Sequence, residues 1–132
     1  MLKVENKIYL SWDDVNSLVD ILCHKAESSG IQFKSVFGLK RGGLIPAVMV
    51  SHKLELPWSD VILPKTLVVD DICDSGKTLS DLAGGYSAVL HYKPHTSLYV
   101  PDIYAVVHEG DEWIIYPWER GDSAPIQDYL KK

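Results

Sequence analysis

Apolar residues recur at helical spacing in the first part of the chain and then gather into short unbroken runs, a change of period that marks helix followed by buried strands. Val15, Leu18, Val19 and Leu22 form one apolar stripe. Ser11, with Asp14 three positions on, makes a capping-box-like start; Asp13 and Asp14 favour the helix dipole, and Gly30 ends the run. The pattern predicts a helix from Ser11 to about Ser29. Lys34 to Leu39 reads as a buried strand that breaks at Arg41-Gly42-Gly43. The stretch LIPAVMVSHKL then reads as a helix with Pro46 in its first turn, where proline is tolerated. Thr66 to Asp71 is a near-continuous apolar run of the parallel-sheet kind. It breaks at residues 74–78, and a short helix is predicted from there to Gly84-Gly85. SAVLHY and DIYAVVHEG supply two more strands. Alternating strands and helices predict an α/β fold: a mainly parallel central sheet flanked by helices, in a single domain spanning 1–132.

Composition narrows the function classes. With 46% hydrophobic and 23% charged residues the chain suits an ordinary globular protein. A formal net charge of −5 and the lack of a basic stretch argue against nucleic acid as the main partner. Cys23, in the helical pattern, and Cys73, read as lying in a loop, are too few for a disulfide framework and read as reduced thiols. Neither a signal-peptide core nor an apolar run long enough to span a membrane is visible, so the expectation is a cytoplasmic protein without a membrane partner.

The chemistry concentrates after the strand LVVDD. Glycine and small hydroxyl residues at Asp74, Ser75, Gly76, Lys77 and Thr78 let the backbone curl around a phosphate. Asp70 and Asp71 alternate across the strand and cannot both enter the core. Two carboxylates beside so apolar a run call for solvent, pairing or a ligand, and sugar hydroxyls and Mg²⁺ suit them. SGKT at 75–78 is not the end of a P-loop, because the first glycine of that motif falls on Asp71. The acidic spacing does not fit D-x-D, and the RGD at 120–122 reads as a solvated turn.

The stretch TLVVDDICDSGKT, from Thr66 to Thr78, resembles the phosphoribosyl-pyrophosphate (PRPP) motif of type I phosphoribosyltransferases. Four further segments narrow the likeness to the bacterial xanthine–guanine phosphoribosyltransferases and their hypoxanthine-using relatives. YLSWDDV resembles their opening strand and helix, and FGLKRGGLIPAVMVSHKL their pyrophosphate loop and following helix. HYKP resembles their purine-binding lysine strand, and DEWIIYPWE their closing segment.

The resemblance implies transfer of a phosphoribosyl group from PRPP to guanine, xanthine or hypoxanthine, with Mg²⁺, in a homo-oligomer. It places Asp70 and Asp71 on the ribose hydroxyls, Asp71 nearest the metal, and residues 74–78 around the 5′-phosphate. Arg41, Gly42 and Gly43 would hold pyrophosphate, Lys93 the purine O6, Trp113 the ring face, and the Ile114 backbone the substituent at C2. Asp74 would be the general base near N7. The five histidines share no ligand or catalytic spacing, and Trp118 reads as packing. The family carries a long hood between the second helix and the motif strand. Here roughly Leu56 to Lys65 fill that interval, so a small or absent hood is expected. With the cover shortened, two alternatives stand beside the transferase: a non-catalytic sensor of PRPP or a purine nucleotide, and a Mg²⁺-dependent PRPP hydrolase.

Overall fold

In a computed structural model describing residues 1–82 and 84–119, the chain forms β1 (Leu2–Val4), β2 (Lys7–Tyr9), α1 (Trp12–Ser28), β3 (Ser35–Gly38) and α2 (Leu44–Leu54). There follow β4 (Thr66–Cys73), α3 (Lys77–Ser80), β5 (Tyr86–Tyr92), β6 (Ile103–Val107) and β7 (Trp113–Ile115). The start of α1 is the reciprocal cap read from the sequence. Ser11 Oγ accepts from the Asp14 amide at 3.0 Å, and Asp14 Oδ2 accepts from the Ser11 amide at 2.9 Å.

The central sheet has the order β3-β4-β5-β6, and all its neighbours are parallel. Alternation along its strands assigns the two faces. Leu67, Val69, Ala88, Leu90, Ile103 and Ala105 share the main core with α1 and α2. Helix α1 lies over β5 and β6, helix α2 over β3 and β4, and the two helices touch each other. The opposite face is thinner: Cys73, Val89 and Tyr92 pack with Leu79, Tyr99 and Tyr104.

Two expectations need correction. Cys73 is not in a loop: it is the buried last residue of β4, because the strand runs through the acidic pair instead of stopping at it. The helix after the 74–78 loop ends at Ser80, well short of the glycines, since Gly84 and Gly85 both take positive φ to turn the chain back into β5. The hood interval, by contrast, is as bare as expected. Residues 56–65 hold no helix or strand, and this stretch is pinned to the sheet edge by a bridge between Val36 and Trp58.

A second, three-stranded sheet of order β1-β2-β7 joins the two ends of the described chain, pairing Lys7 with Trp113 and Tyr9 with Ile115. Lys3 and Glu112 close it with an ion pair at 2.8 Å. No helix among the described residues is long and apolar enough to cross a membrane. The RGD at 120–122 lies outside the described residues.

Candidate active site

Parallel strands end together, so the register pairing Gly38 with Val69 and Cys73 with Tyr92 brings three loops to one edge. They are residues 39–43 after β3, 74–76 after β4 and 93–102 after β5. This is the edge at which open α/β sheets hold ligands.

In the first loop the Lys40–Arg41 peptide is cis. The Gly43 amide donates to Leu39 O at 2.8 Å and the Leu44 amide to Arg41 O at 3.1 Å, closing a tight turn. Gly43 caps α2 without a side-chain hydrogen bond, so the amides and the positive dipole end of that first turn suit an anion. Gly42 lies directly against the carboxylate of Asp71, where a β-carbon would collide with Oδ2.

Asp70 and Asp71 sit half-buried within β4. Asp70 Oδ1 accepts from the Asp71 amide at 2.9 Å, and Asp71 Oδ1 from the Ile72 amide at 2.8 Å. The ladder to β5 pairs Asp70 with Val89 and Ile72 with His91, passing over Asp71. The Asp71 carbonyl instead accepts from the Tyr116 hydroxyl at 3.1 Å. No cluster of three or more His, Cys, Asp or Glu among the described residues could cage a metal. Two adjacent carboxylates fit a hard cation that takes its remaining ligands from substrate phosphates and water.

The second loop starts at Asp74 and bends at Gly76, whose φ of +80° favours glycine. A β-carbon there would also lie 2.5 Å from Ser97 Oγ and 2.6 Å from Tyr99 Cβ. Ser75, Lys77 and Thr78 follow one another around this bend, with Lys77 Nζ 3.9 Å from the exposed Asp81.

Lys93, expected as the donor to the purine O6, has a side chain only 7% exposed, and its Nζ lies 3.9 Å from Asp74 Oδ1. The structure therefore brings together two residues 19 positions apart that the sequence marked separately. Trp113 and Ile114 belong to the other sheet: Trp113 is half-buried, and Ile114 is buried opposite Ile8.

Tyr116, His91 and Thr96 carried no signal in the sequence. Burial raises the Tyr116 pKa well above its ordinary value, so its hydroxyl keeps its proton and donates it to Asp71 O. The 2.7 Å contact from His91 Nδ1 to the same hydroxyl must then be donated by the imidazole, which fixes the Nδ1–H tautomer. This relay ties the end of β7 to the acidic strand.

Burial, with a smaller contribution from His108, pushes His91 from 6.5 down to about 4. As pH falls from 6.5 to 4 the unfolded chain takes up a proton that the folded chain refuses, so stability is lost across that window. At about 1.4 kcal/mol per unit the loss is on the order of 3 kcal/mol. In His91→Asn, which keeps a donor at the Nδ1 position, urea titrations at pH 7 and pH 4.5 should differ much less than in the wild type. An unchanged difference would assign the acid sensitivity elsewhere.

No protein-family model matches the chain. It is 28% identical to the xanthine-guanine phosphoribosyltransferase of Cereibacter sphaeroides, over 87% of this chain and 88% of that one. The enzyme of the same name from Chromohalobacter salexigens is 27% identical over 92% and 91%. The first alignment, at 148 positions, is longer than the 132 residues here, so the relative carries residues this chain lacks. The crystal structure of a purine phosphoribosyltransferase from Pyrococcus horikoshii superposes with a TM-score of 0.74 at 28% identity. That match covers 92% of this chain and all of the other.

Proposed function

We propose that this chain, a homologue of the xanthine-guanine phosphoribosyltransferases with the type I phosphoribosyltransferase fold, transfers the phosphoribosyl group of PRPP to a 6-oxopurine. The observation that carries this reading is the Lys93–Asp74 pair, 3.9 Å apart beside an acidic pair and two anion-suited loops. O6 and N7 lie on one edge of a 6-oxopurine. An ammonium and a carboxylate held side by side match that edge when N7 bears the proton: Lys93 donates to O6, and Asp74 accepts from N7–H.

In the reaction the bond from the anomeric carbon to pyrophosphate breaks and a bond from that carbon to purine N9 forms. The proton on N7 leaves to Asp74 and then to solvent. Positive charge grows on the ribose and negative charge on the leaving group, so catalysis is mainly positioning and electrostatics. Asp70 and Asp71 take the ribose hydroxyls. Ser75, Gly76, Lys77 and Thr78 hold the 5′-phosphate, and Arg41 with the amides of Gly42 and Gly43 holds the pyrophosphate. Trp113 stacks on the purine, and the Ile114 backbone reads C2. Asp71, together with the substrate, would hold Mg²⁺, which would supply positive charge to the departing pyrophosphate. The protein works as a single domain in the cytoplasm and as a homo-oligomer, with neither nucleic acid nor membrane as a partner.

The test supplies Mg²⁺, PRPP and in turn guanine, xanthine, hypoxanthine and adenine, with products resolved by chromatography. A nucleoside monophosphate is expected from the 6-oxopurines and none from adenine, whose 6-amino group would present a donor to the Lys93 donor. Ribose 5-phosphate as the sole product would make the protein a hydrolase. A raised Tm with PRPP or a purine nucleotide but no turnover would make it a sensor.

A further inference from the structure

The turn that follows Lys93 folds back on the loop after β4 and grips it at several points. Leu98 N donates to Ser75 O at 3.1 Å. Ser97 Oγ lies 3.2 Å from Cys73 Sγ, and Gly76 is in close approach to Ser97 and Tyr99. At the head of this grip the Thr96 hydroxyl reaches Asp74 twice, at 2.7 Å from Oδ1 and 2.9 Å from the main-chain oxygen. The carboxylate contact is short, as a hydroxyl donating to an ionised oxygen should be. Lys93 Nζ approaches the same oxygen, Oδ1, at 3.9 Å. Both donors thus bear on one oxygen of the carboxylate.

We infer that Thr96 is a positioning residue for Asp74: its hydroxyl holds Oδ1, so that Oδ2 is the oxygen presented to the purine proton. The inference rests on the proposed role of Asp74 as base. Two donors share Oδ1 at unequal distances, and Thr96 has the shorter contact. Without the hydroxyl the carboxylate is left to Lys93 alone. Closing that 3.9 Å gap would occupy the ammonium needed at O6 and turn the base away from N7. Thr96 holds the pair apart. Its side chain is bound to a group 22 residues earlier, and no local motif announces it.

The test compares Thr96→Val, which keeps the shape and removes the hydroxyl, with Thr96→Ser, which keeps the hydroxyl. Thr96→Val should lower kcat about tenfold, as expected for losing one hydrogen bond to a charged group, with KM for PRPP within about twofold. Thr96→Ser should restore kcat to near the wild-type value. A kcat unchanged in Thr96→Val overturns the inference. So does a loss of kcat in Thr96→Ser equal to that in Thr96→Val, which would point to the backbone of the turn. The ¹³Cγ resonance of Asp74 gives a readout independent of turnover, since it should move in Thr96→Val and stay in Thr96→Ser. If the wild type transfers nothing, the proposed function fails, and this resonance still decides whether Thr96 holds Asp74; an unmoved resonance overturns the brace.

Discussion

Asp74→Asn is expected to lower the rate of nucleotide formation by about 10²–10⁴, the range for removing a positioned general base. The amide keeps the shape of the carboxylate and still offers an oxygen to Thr96, whose hydroxyl lies 2.7 Å away. What it loses is the capacity to take a proton. PRPP should be held nearly as before, because the acidic pair, the loop at 39–43 and residues 75–78 are untouched; KM for PRPP should therefore change far less than kcat. A second consequence falls on Lys93, whose side chain is 7% exposed and whose ammonium would lose the carboxylate 3.9 Å away. Leaving a buried charge uncompensated costs about 3–5 kcal/mol when the pair is fully enclosed, and less here because Asp74 is 21% exposed. A fall in Tm should accompany the loss of rate. Steady-state kinetics with hypoxanthine, run beside a thermal melt, checks both. A loss of kcat below about tenfold would remove Asp74 from the role of base.

The parts of this fold that were legible in the sequence are those whose signals are local. Ser11 and Asp14 fixed the start of α1 because a capping box is completed within four residues. The apolar run at 66–69 and the strand-like run at 87–92 announced β4 and β5, since each strand is long enough and buried enough to stand out as a run. The three-residue strands β1, β2 and β7 show no period at all, and their pairing joins Lys7 to Trp113 across most of the chain. Nothing local could have reported that sheet.

The same division runs through the candidate site. Asp70, Asp71 and Asp74 stand in one contiguous motif and could be read together. Lys93 could be named from the resemblance carried by HYKP, but its burial beside Asp74 is a consequence of the β4–β5 register. Tyr116 and His91 were invisible for a related reason. Their relay brings a donor to the Asp71 carbonyl where the ladder passes it by, an arrangement that exists only once the sheet has formed. Cys73 was misread because an acidic pair looks like the end of a strand. Half-buried carboxylates that each cap the following amide let the strand continue.

Gly42→Ala and Gly43→Ala, one residue apart, are expected to fail in different ways. At Gly43 a β-carbon meets the main-chain oxygen of Val69, Leu39 O at 2.7 Å and Asp70 Cα at 2.9 Å. Every obstacle is backbone, in β4 and in the tight turn after β3, so nothing can rotate away. Overpacking of this kind costs about 1–3 kcal/mol or more, out of a total stability of about 5–15 kcal/mol. Gly43→Ala should melt far below the wild type or fail to accumulate as folded protein. At Gly42 the obstacle is the Asp71 carboxylate, a side chain that can turn. The fold should survive with a small change in Tm, while the carboxylate leaves the place proposed for the ribose hydroxyls and the cation. Losing one or two charge-assisted contacts at about 1.5–3 kcal/mol each predicts a rise in the dissociation constant for PRPP of about 10-fold to 10⁴-fold. Thermal melts and calorimetric titration with Mg²⁺ and PRPP separate the two effects. If Gly42→Ala binds PRPP as tightly as the wild type, Asp71 is not where the sugar is held. If the two variants lose equal stability, Gly42 makes room for the backbone and not for that carboxylate.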